Sequence, residues 1–297
     1  MKFLTLEAGQ LGALIGDTVV DIAEAERALS SQVEIASVQA LVAAGDTVAA
    51  EVWSLAQQAQ AANIACHPLA EVQPQAPIPE PLRNILCLGK NYVEHAQEVG
   101  AKMQQSTKPP EHPIIFTKAT TSVTAPGDPI PAYQELTQKL DYEAELALVL
   151  GKGGRDFSEA DAWGHVFGYT ALNDVSARDL QKTHYQWFRA QSLDGFAPMG
   201  PVLVHHSVMP APKDITVQCF VNGELRQSET FDHLIFDVPR IIATLSSGMT
   251  LLPGDIIATG TPAGVGMGFT PPKYLQPGDE VVVDVTGVGE LRNPVIK

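Results

Sequence analysis

The segment Asp141-Tyr142-Glu143-Ala144-Glu145-Leu146-Ala147-Leu148-Val149-Leu150 constrains this chain more than any other. In a strand, successive side chains point to opposite faces. Tyr142, Ala144, Leu146, Leu148 and Leu150 then line one face. Glu143, Glu145, Ala147 and Val149 line the other, with Asp141 beside the glutamates. Both faces are apolar at the far end, which calls for burial on both sides there. On a half-exposed strand the glutamates would form a solvated acidic face. At a buried strand end they repel, and must either take up protons or hold a cation. A divalent ion resolves that cost, and an all-oxygen set selects Mg2+, Mn2+ or Ca2+ over zinc.

The surroundings of this segment are β-rich. Short runs such as Ile114–Thr117, Val202–Val204, Ile215–Val221, Ile256–Thr259 and Glu280–Val285 are strand candidates. Pro-Gly-Asp recurs at Pro126–Asp128, Pro253–Asp255 and Pro277–Asp279. Proline presets φ for the second turn position and glycine accepts positive φ at the third, so each triplet marks a tight turn. Many short strands with few helices predict a curled β architecture, a barrel or roll. Helical spacing is expected mainly at Val93–Val99, Glu159–Val166 and Val238–Leu245. Residues 1–72 read as a small α+β unit, with strands at Phe3–Leu6, Gly12–Ile15 and Thr18–Asp21 and helices at Val38–Ala44 and Val48–Ala61. The proline-dense stretch 73–82 reads as a linker, leaving 83–297 as the larger domain.

Composition narrows the partners. Nineteen Lys and Arg face 34 Asp and Glu, a formal charge of −15, which disfavours nucleic acid and anionic membranes. Glu7 and Asp17 interrupt the first apolar stretch, against a signal peptide or membrane span, so the chain reads as cytoplasmic. Cys66, Cys87 and Cys219 are odd in number and far apart, as expected of small apolar residues in a reducing compartment.

Three further segments carry candidate chemistry. Asp174 follows the apolar run Val166–Leu172 and either supplies a third metal oxygen or caps a helical turn. Arg178 and Gln181, three apart, share a helical face suited to an anionic or keto group. His95 and Glu98 share the same spacing, which lets the carboxylate orient an imidazole acting as general base on water. The polar, proline-bearing stretch Gly100–His112 then reads as a mobile lid. The glycine-rich stretch Thr259–Gly268 is followed by Phe269-Thr270-Pro271-Pro272, which cannot start the helix that a dinucleotide fingerprint needs. Its backbone N–H groups and Thr261 are left to face a substrate. His205 and His206 lack spaced ligand partners and read as an exposed loop pair.

Taken in order, these segments resemble the fumarylacetoacetate hydrolase family, in its compact bacterial and mitochondrial-type branch. The resemblance runs from about Ile85 to Pro294. It rests on Gly89-Lys90-Asn91-Tyr92 with His95 and Glu98, on Glu143-Ala144-Glu145-Leu146, and on Asp174-Val175-Ser176-Ala177-Arg178-Asp179. Pro198-Met199-Gly200-Pro201, Val221-Asn222-Gly223-Glu224 and Gly260-Thr261-Pro262-Ala263-Gly264-Val265-Gly266 complete it. It implies an α+β, β-rich fold: a mixed β-roll or barrel-like catalytic domain with a small N-terminal α+β domain, paired as a homodimer. It also implies Mg2+ or Mn2+ on Glu143, Glu145 and Asp174, catalytic His95 and Glu98, and substrate contacts from Arg178, Gln181, Tyr185 and Thr261. Gln191 stands where the family commonly carries a lysine that projects into the site. A neutral amide there donates hydrogen bonds but cannot neutralise an enolate.

The leading expectation is hydrolysis of a C–C bond in an acylpyruvate or fumarylpyruvate-like diketo acid, by His95-activated water and a metal-stabilised enolate. Decarboxylation or isomerisation of a 2-oxo dicarboxylate, such as oxaloacetate, is the alternative at the same site. A binding protein that keeps the fold without turnover is the rival from another class, with Gln191 as its support.

Overall fold

A computed structural model describes residues 1–104 and 106–297. Strand Ala144–Leu150 lies in the interior of the larger sheet, between Val166–Asn173 and Ile256–Ala258, antiparallel to both. Ile85–Gly89 and then Ile114–Lys118 extend the sheet on one side. On the other side Ala197–His205 follows, and then the N-terminal strands Lys2–Thr5, Leu11–Ile15, Thr18–Asp21 and Cys66–Pro68. A second sheet runs in the order Glu224–Thr230, Thr216–Val221, Glu280–Val285, Gly289–Ile296 and Ile130–Pro131.

The alternation read from the sequence decides what each face meets. Leu146, Leu148 and Leu150 share a core with Val217, Cys219, Val283 and Leu291 of the second sheet. Ala147 and Val149 share another with Ile85, Cys87 and Phe167, and with Val38, Leu41, Val52 and Leu55 of the N-terminal helices. This is the β-rich mixed fold expected, its sheet covered on both sides. Among the described residues no helix is long and apolar enough to cross a membrane.

Details depart from the sequence reading. A helix at Ile22–Leu29, capped by Asp21, joins Val38–Ala44 and Asp46–Ala61. Glu159–Val166 is not a helix: only a short 3-10 turn, Ala162–His165, precedes the strand that starts at Val166. The stretch 73–82 is packed along the first strand, with Gln75 N–H bonded to Thr5 O at 2.8 Å, Thr5 Oγ1 donating to Pro77 O at 2.8 Å, and Ile78 buried. Because Lys2–Thr5 pairs with Ala197–His205, the sheet runs unbroken from residues 1–72 into the catalytic part. Cys87 and Cys219 are buried, whereas Cys66 is partly exposed.

The three Pro-Gly-Asp triplets are turns, with Gly127, Gly254 and Gly278 at φ of 84°, 88° and 99°. In each, the aspartate carboxylate accepts the backbone N–H three residues upstream: Ala125 at 3.1 Å, Leu252 at 2.7 Å and Gln276 at 2.8 Å. The glycine supplies the positive φ and the aspartate closes the loop, which explains why the triplet recurs.

Candidate active site

Ala144 pairs with Asn173, so the residues just outside that rung are brought together. Glu143 N–H donates to Asn173 Oδ1 at 3.0 Å, and Asp174 N–H donates to Glu143 O at 2.8 Å. Glu143, Glu145 and Asp174 thereby present carboxylate oxygens within 4.8 Å of one another, all buried. The expected trio is assembled by strand register alone.

Such a cluster is electrostatically unstable unless compensated. Burial pushes the Asp174 carboxyl up to about 6, with Glu143 adding to the rise and Lys118 opposing it. Burial, then Asp174 and Glu143, raise Glu145 well above the carboxylate range, although Gly260 N–H donates to its Oε2 at 2.8 Å. Two cations answer the acids. Lys118, fully buried at the end of Ile114–Lys118, sets its Nζ 2.5 Å from Asp174 Oδ1 and 3.0 Å from Gln191 Oε1, and donates to Val175 O. Arg178 reaches Asp141 Oδ2 through Nε at 2.9 Å and Glu143 Oε1 through Nη2 at 2.5 Å. Four carboxyl groups thus face two cations and, when fully ionised, leave two negative charges, and Asp174 Oδ2 is buried without a hydrogen-bond partner among the described residues. An oxygen-loving divalent ion fits both the charge and the orphaned oxygen.

Helix Val93–Met103 holds His95 over this cluster, its Nε2 4.0 Å from Glu143 Oε1. Glu98 lies one turn on, 3.7 Å from His95 Nδ1, which is too long for a hydrogen bond. The Glu98 carboxylate instead accepts Gly264 N–H at 3.2 and 3.3 Å. A Cβ at Gly268 would overlap that carboxylate and force the Glu98 side chain to move.

Several expected roles are corrected. The N–H groups of the glycine-rich loop do not face a substrate: Gly266 and Met267 donate to Asp141 at 2.6 and 3.0 Å, Gly264 to Glu98, and Gly260 to Glu145. Thr261 lines the cavity, but its hydroxyl is already occupied, donating to Ala144 O and accepting from Gln227 Nε2, both at 2.8 Å. Tyr185 is 88% exposed and stands outside the cluster. Gly100, the first residue of the expected lid, is buried within the helix against the Ser106 backbone. His112 is exposed and 106–112 is without helix or strand, while Gln105 of the expected lid lies outside the described residues.

Arg178, Gln181 and Gln191 line the cavity between His95 and Glu143, and Phe116, Trp187 and Val99 form its apolar wall. Arg178 also meets Gln181 Oε1 at 3.4 Å, so the helical-face pairing holds. Gln191 Oε1 accepts from Lys118 and from Ser176 Oγ, so the amide steers a lysine that comes from elsewhere in the chain. Sequence reasoning missed Lys118, Asp141 as loop anchor, and Gln227. The one available signal for Lys118 was a cation closing an apolar strand.

Over residues 84–296 the chain matches the family model described as fumarylacetoacetate (FAA) hydrolase C-terminal. It is 47% identical over 304 residues to oxaloacetate tautomerase YisK of Bacillus subtilis (strain 168), covering 99% of this chain and 100% of that protein. The fold is similar to fumarylacetoacetate hydrolase (EaFAH) from psychrophilic Exiguobacterium antarcticum, with a TM-score of 0.82, 39% identity, and 100% and 99% of the two chains covered. It is also similar to maleylpyruvate hydrolase from Sphingobium sp. SYK-6 in complex with manganese(II) ion and pyruvate, with a TM-score of 0.75, 29% identity, and 100% and 99% covered.

Proposed function

The chain belongs to the fumarylacetoacetate hydrolase family, and on that premise we propose that it is a divalent-metal-dependent tautomerase of a 2-oxo dicarboxylate such as oxaloacetate. The state of the His95–Glu98 pair carries this reading. In triad-type hydrolysis the imidazole that activates the nucleophile has its second nitrogen held by a carboxylate. Here Glu98 is engaged by Gly264, and His95 Nδ1 has no hydrogen-bond partner among the described residues. A proton relay within one substrate asks less: a single imidazole beside charges that favour an enolate. The full-length likeness to a protein named oxaloacetate tautomerase supports the same reading, and moves the leading expectation from C–C cleavage to isomerisation.

Mg2+ or Mn2+, held by Glu143, Glu145 and Asp174, would supply Lewis-acid stabilisation of enolate charge. The manganese complex of maleylpyruvate hydrolase supports that choice of ion. His95 Nε2 takes the C3 proton of the keto form. The C–H electron pair becomes the C2=C3 bond, and the carbonyl π pair moves onto the 2-oxo oxygen. The imidazolium, steadied by Glu143, returns the same proton to that oxygen and gives the enol, with no water consumed. Arg178, Gln181 and Gln191 bring N–H donors to the cavity for the substrate carboxylates, while Trp187 and Phe116 exclude solvent. The proposal includes a homodimer in the cytoplasm. Exposed Tyr185, Phe188 and Ile115 support the pairing.

Likeness to maleylpyruvate hydrolase keeps cleavage of a diketo acid as the second reading. One assay separates them. With Mg2+, the purified protein should speed the loss of enol-oxaloacetate absorbance and solvent exchange at C3, with oxaloacetate the sole product. Faster cleavage of acylpyruvates, or carbon dioxide as the main product, would overturn the tautomerase reading.

A further inference from the structure

At the far end of the same sheet the structure brings together His205, His206 and Asp46, far from any role in the chemistry above. His205 closes strand Ala197–His205 and His206 opens the 3-10 turn that follows, so two successive imidazoles converge, with ring centroids 4.2 Å apart. Asp46 is the first residue of helix Asp46–Ala61, in the N-terminal part. Its Oδ1 lies 3.3 Å from His205 Nε2 and 3.6 Å from His206 Nε2. His205 is not on an exposed loop: its side chain is 3% exposed, against 42% for His206 and 48% for Asp46.

We propose that Asp46, His205 and His206 form a second metal site, for a zinc-class transition ion, which staples the N-terminal helices to the catalytic sheet. The spacing is the first argument. The 3.3 Å contact is a long hydrogen bond, and the 3.6 Å contact lies beyond hydrogen-bond reach. A tetrahedral ion with bonds of about 2.0–2.1 Å separates its ligands by roughly 3.3–3.4 Å, which the His205 pair matches and the His206 pair exceeds slightly. One ligand atom from each residue falls within 4.8 Å of the others.

The donor set is the second argument. Two imidazoles and a carboxylate suit zinc, nickel or copper, whereas the all-oxygen trio suits Mg2+ or Mn2+. Two sites on one sheet are therefore chemically sorted. Gly168 pairs with His205, and Asp174 lies six residues further along, just past the end of the paired strand Val166–Asn173, so the sites are about 20 Å apart.

The third argument is support around the ligands. His205 Nδ1 sits 2.9 Å from Ser207 Oγ, and the Phe167 ring packs edge-on against the imidazole at 4.9 Å. These contacts fix the ring with Nε2 facing Asp46, and because the Ser207 N–H donates to Nδ1 at 3.3 Å, an ion there would displace the proton that Nε2 carries. The exposed side of His206 and Asp46 leaves room for a water as fourth ligand.

The test uses the full chain, stripped of metal and then saturated with Mg2+ to occupy the carboxylate site. Zn2+ alone is titrated by calorimetry, and Co2+ serves as a spectroscopic stand-in. Wild type should bind one Zn2+ despite the Mg2+, gain thermal stability, and give the intense visible spectrum of tetrahedral Co2+. His206→Ala and Asp46→Asn, both at exposed positions, should each weaken Zn2+ at least tenfold and remove that spectrum, while Mg2+-dependent turnover of oxaloacetate persists. Absence of Zn2+ binding in the Mg2+-saturated protein would overturn the proposal, as would binding that both variants retain undiminished.

Discussion

Replacing Arg178 with methionine should destabilise the metal-free protein by about 3–5 kcal/mol, the cost of removing one partner from a buried ion pair. Arg178 and Asp141 are almost wholly inaccessible, and Glu143 nearly so. Methionine retains much of the side-chain length, so packing changes little while two charge-assisted bonds disappear. Asp141 keeps the N–H groups of Tyr142, Gly266 and Met267, which places the effect toward the lower end of that range. Denaturant unfolding in chelator would measure it, with stability taken from midpoint and slope together. Added Mg2+ should recover part of the loss, since it neutralises Glu143 but not Asp141. Combining Arg178→Met with Asp141→Asn supplies an internal check: residues in direct contact couple, so the double variant should lose less than the sum of the singles. A single-variant loss below about 1 kcal/mol, or strict additivity, would refute the compensation argument.

Substituting His95 by glutamine should slow keto–enol exchange by roughly two to four orders of magnitude while Mg2+ affinity survives. Loss of Mg2+ binding would instead make His95 a ligand. Asp174, raised to about 6 from an ordinary 3.8, holds a proton in the metal-free fold that the unfolded chain has already released. The metal-free protein should therefore lose stability as pH rises from 4 through 6. Mg2+ must displace that proton, so the melting-temperature rise it gives should grow over the same window and shrink in Asp174→Asn; a pH-independent rise would contradict this. Gln191→Lys places a second ammonium beside Lys118, where two charges about 4 Å apart repel by up to ~4 kcal/mol at an effective dielectric of 20. Mg2+ affinity should fall by one or two decades, and a tenfold gain in turnover would show that the pocket welcomes the charge.

What could be read in the sequence was whatever depends on local period. The two-residue alternation from Tyr142 to Leu150 placed both cores and put Glu145 on its proper face, and the three-residue spacing put His95 with Glu98 and Arg178 with Gln181. Partners fixed by long-range register were not legible. Lys118 meets Asp174 across 56 residues, and Asp46 meets His205 across 159, with no pattern linking either pair. The glycine-rich loop shows the same limit in reverse. Its composition suggested open N–H groups, but Asp141, Glu98 and Glu145 had already engaged them. The helix runs past Val99 to Met103, because Gly100 is packed closely on the Ser106 backbone, a contact that no local spacing announces.

The burial of two cysteines on opposite sides of the larger sheet has a practical consequence. Cys87 lies in the core shared with the N-terminal helices, its thiol pushed up first by burial and then by Asp174. Cys219 lies in the core shared with the second sheet, likewise raised by burial. Neither can be attacked as a thiolate until its own layer opens, whereas Cys66 stands partly in solvent from the start. The chain therefore carries three natural clocks. Alkylation followed by peptide mass would time the opening of each layer separately, without any label being introduced.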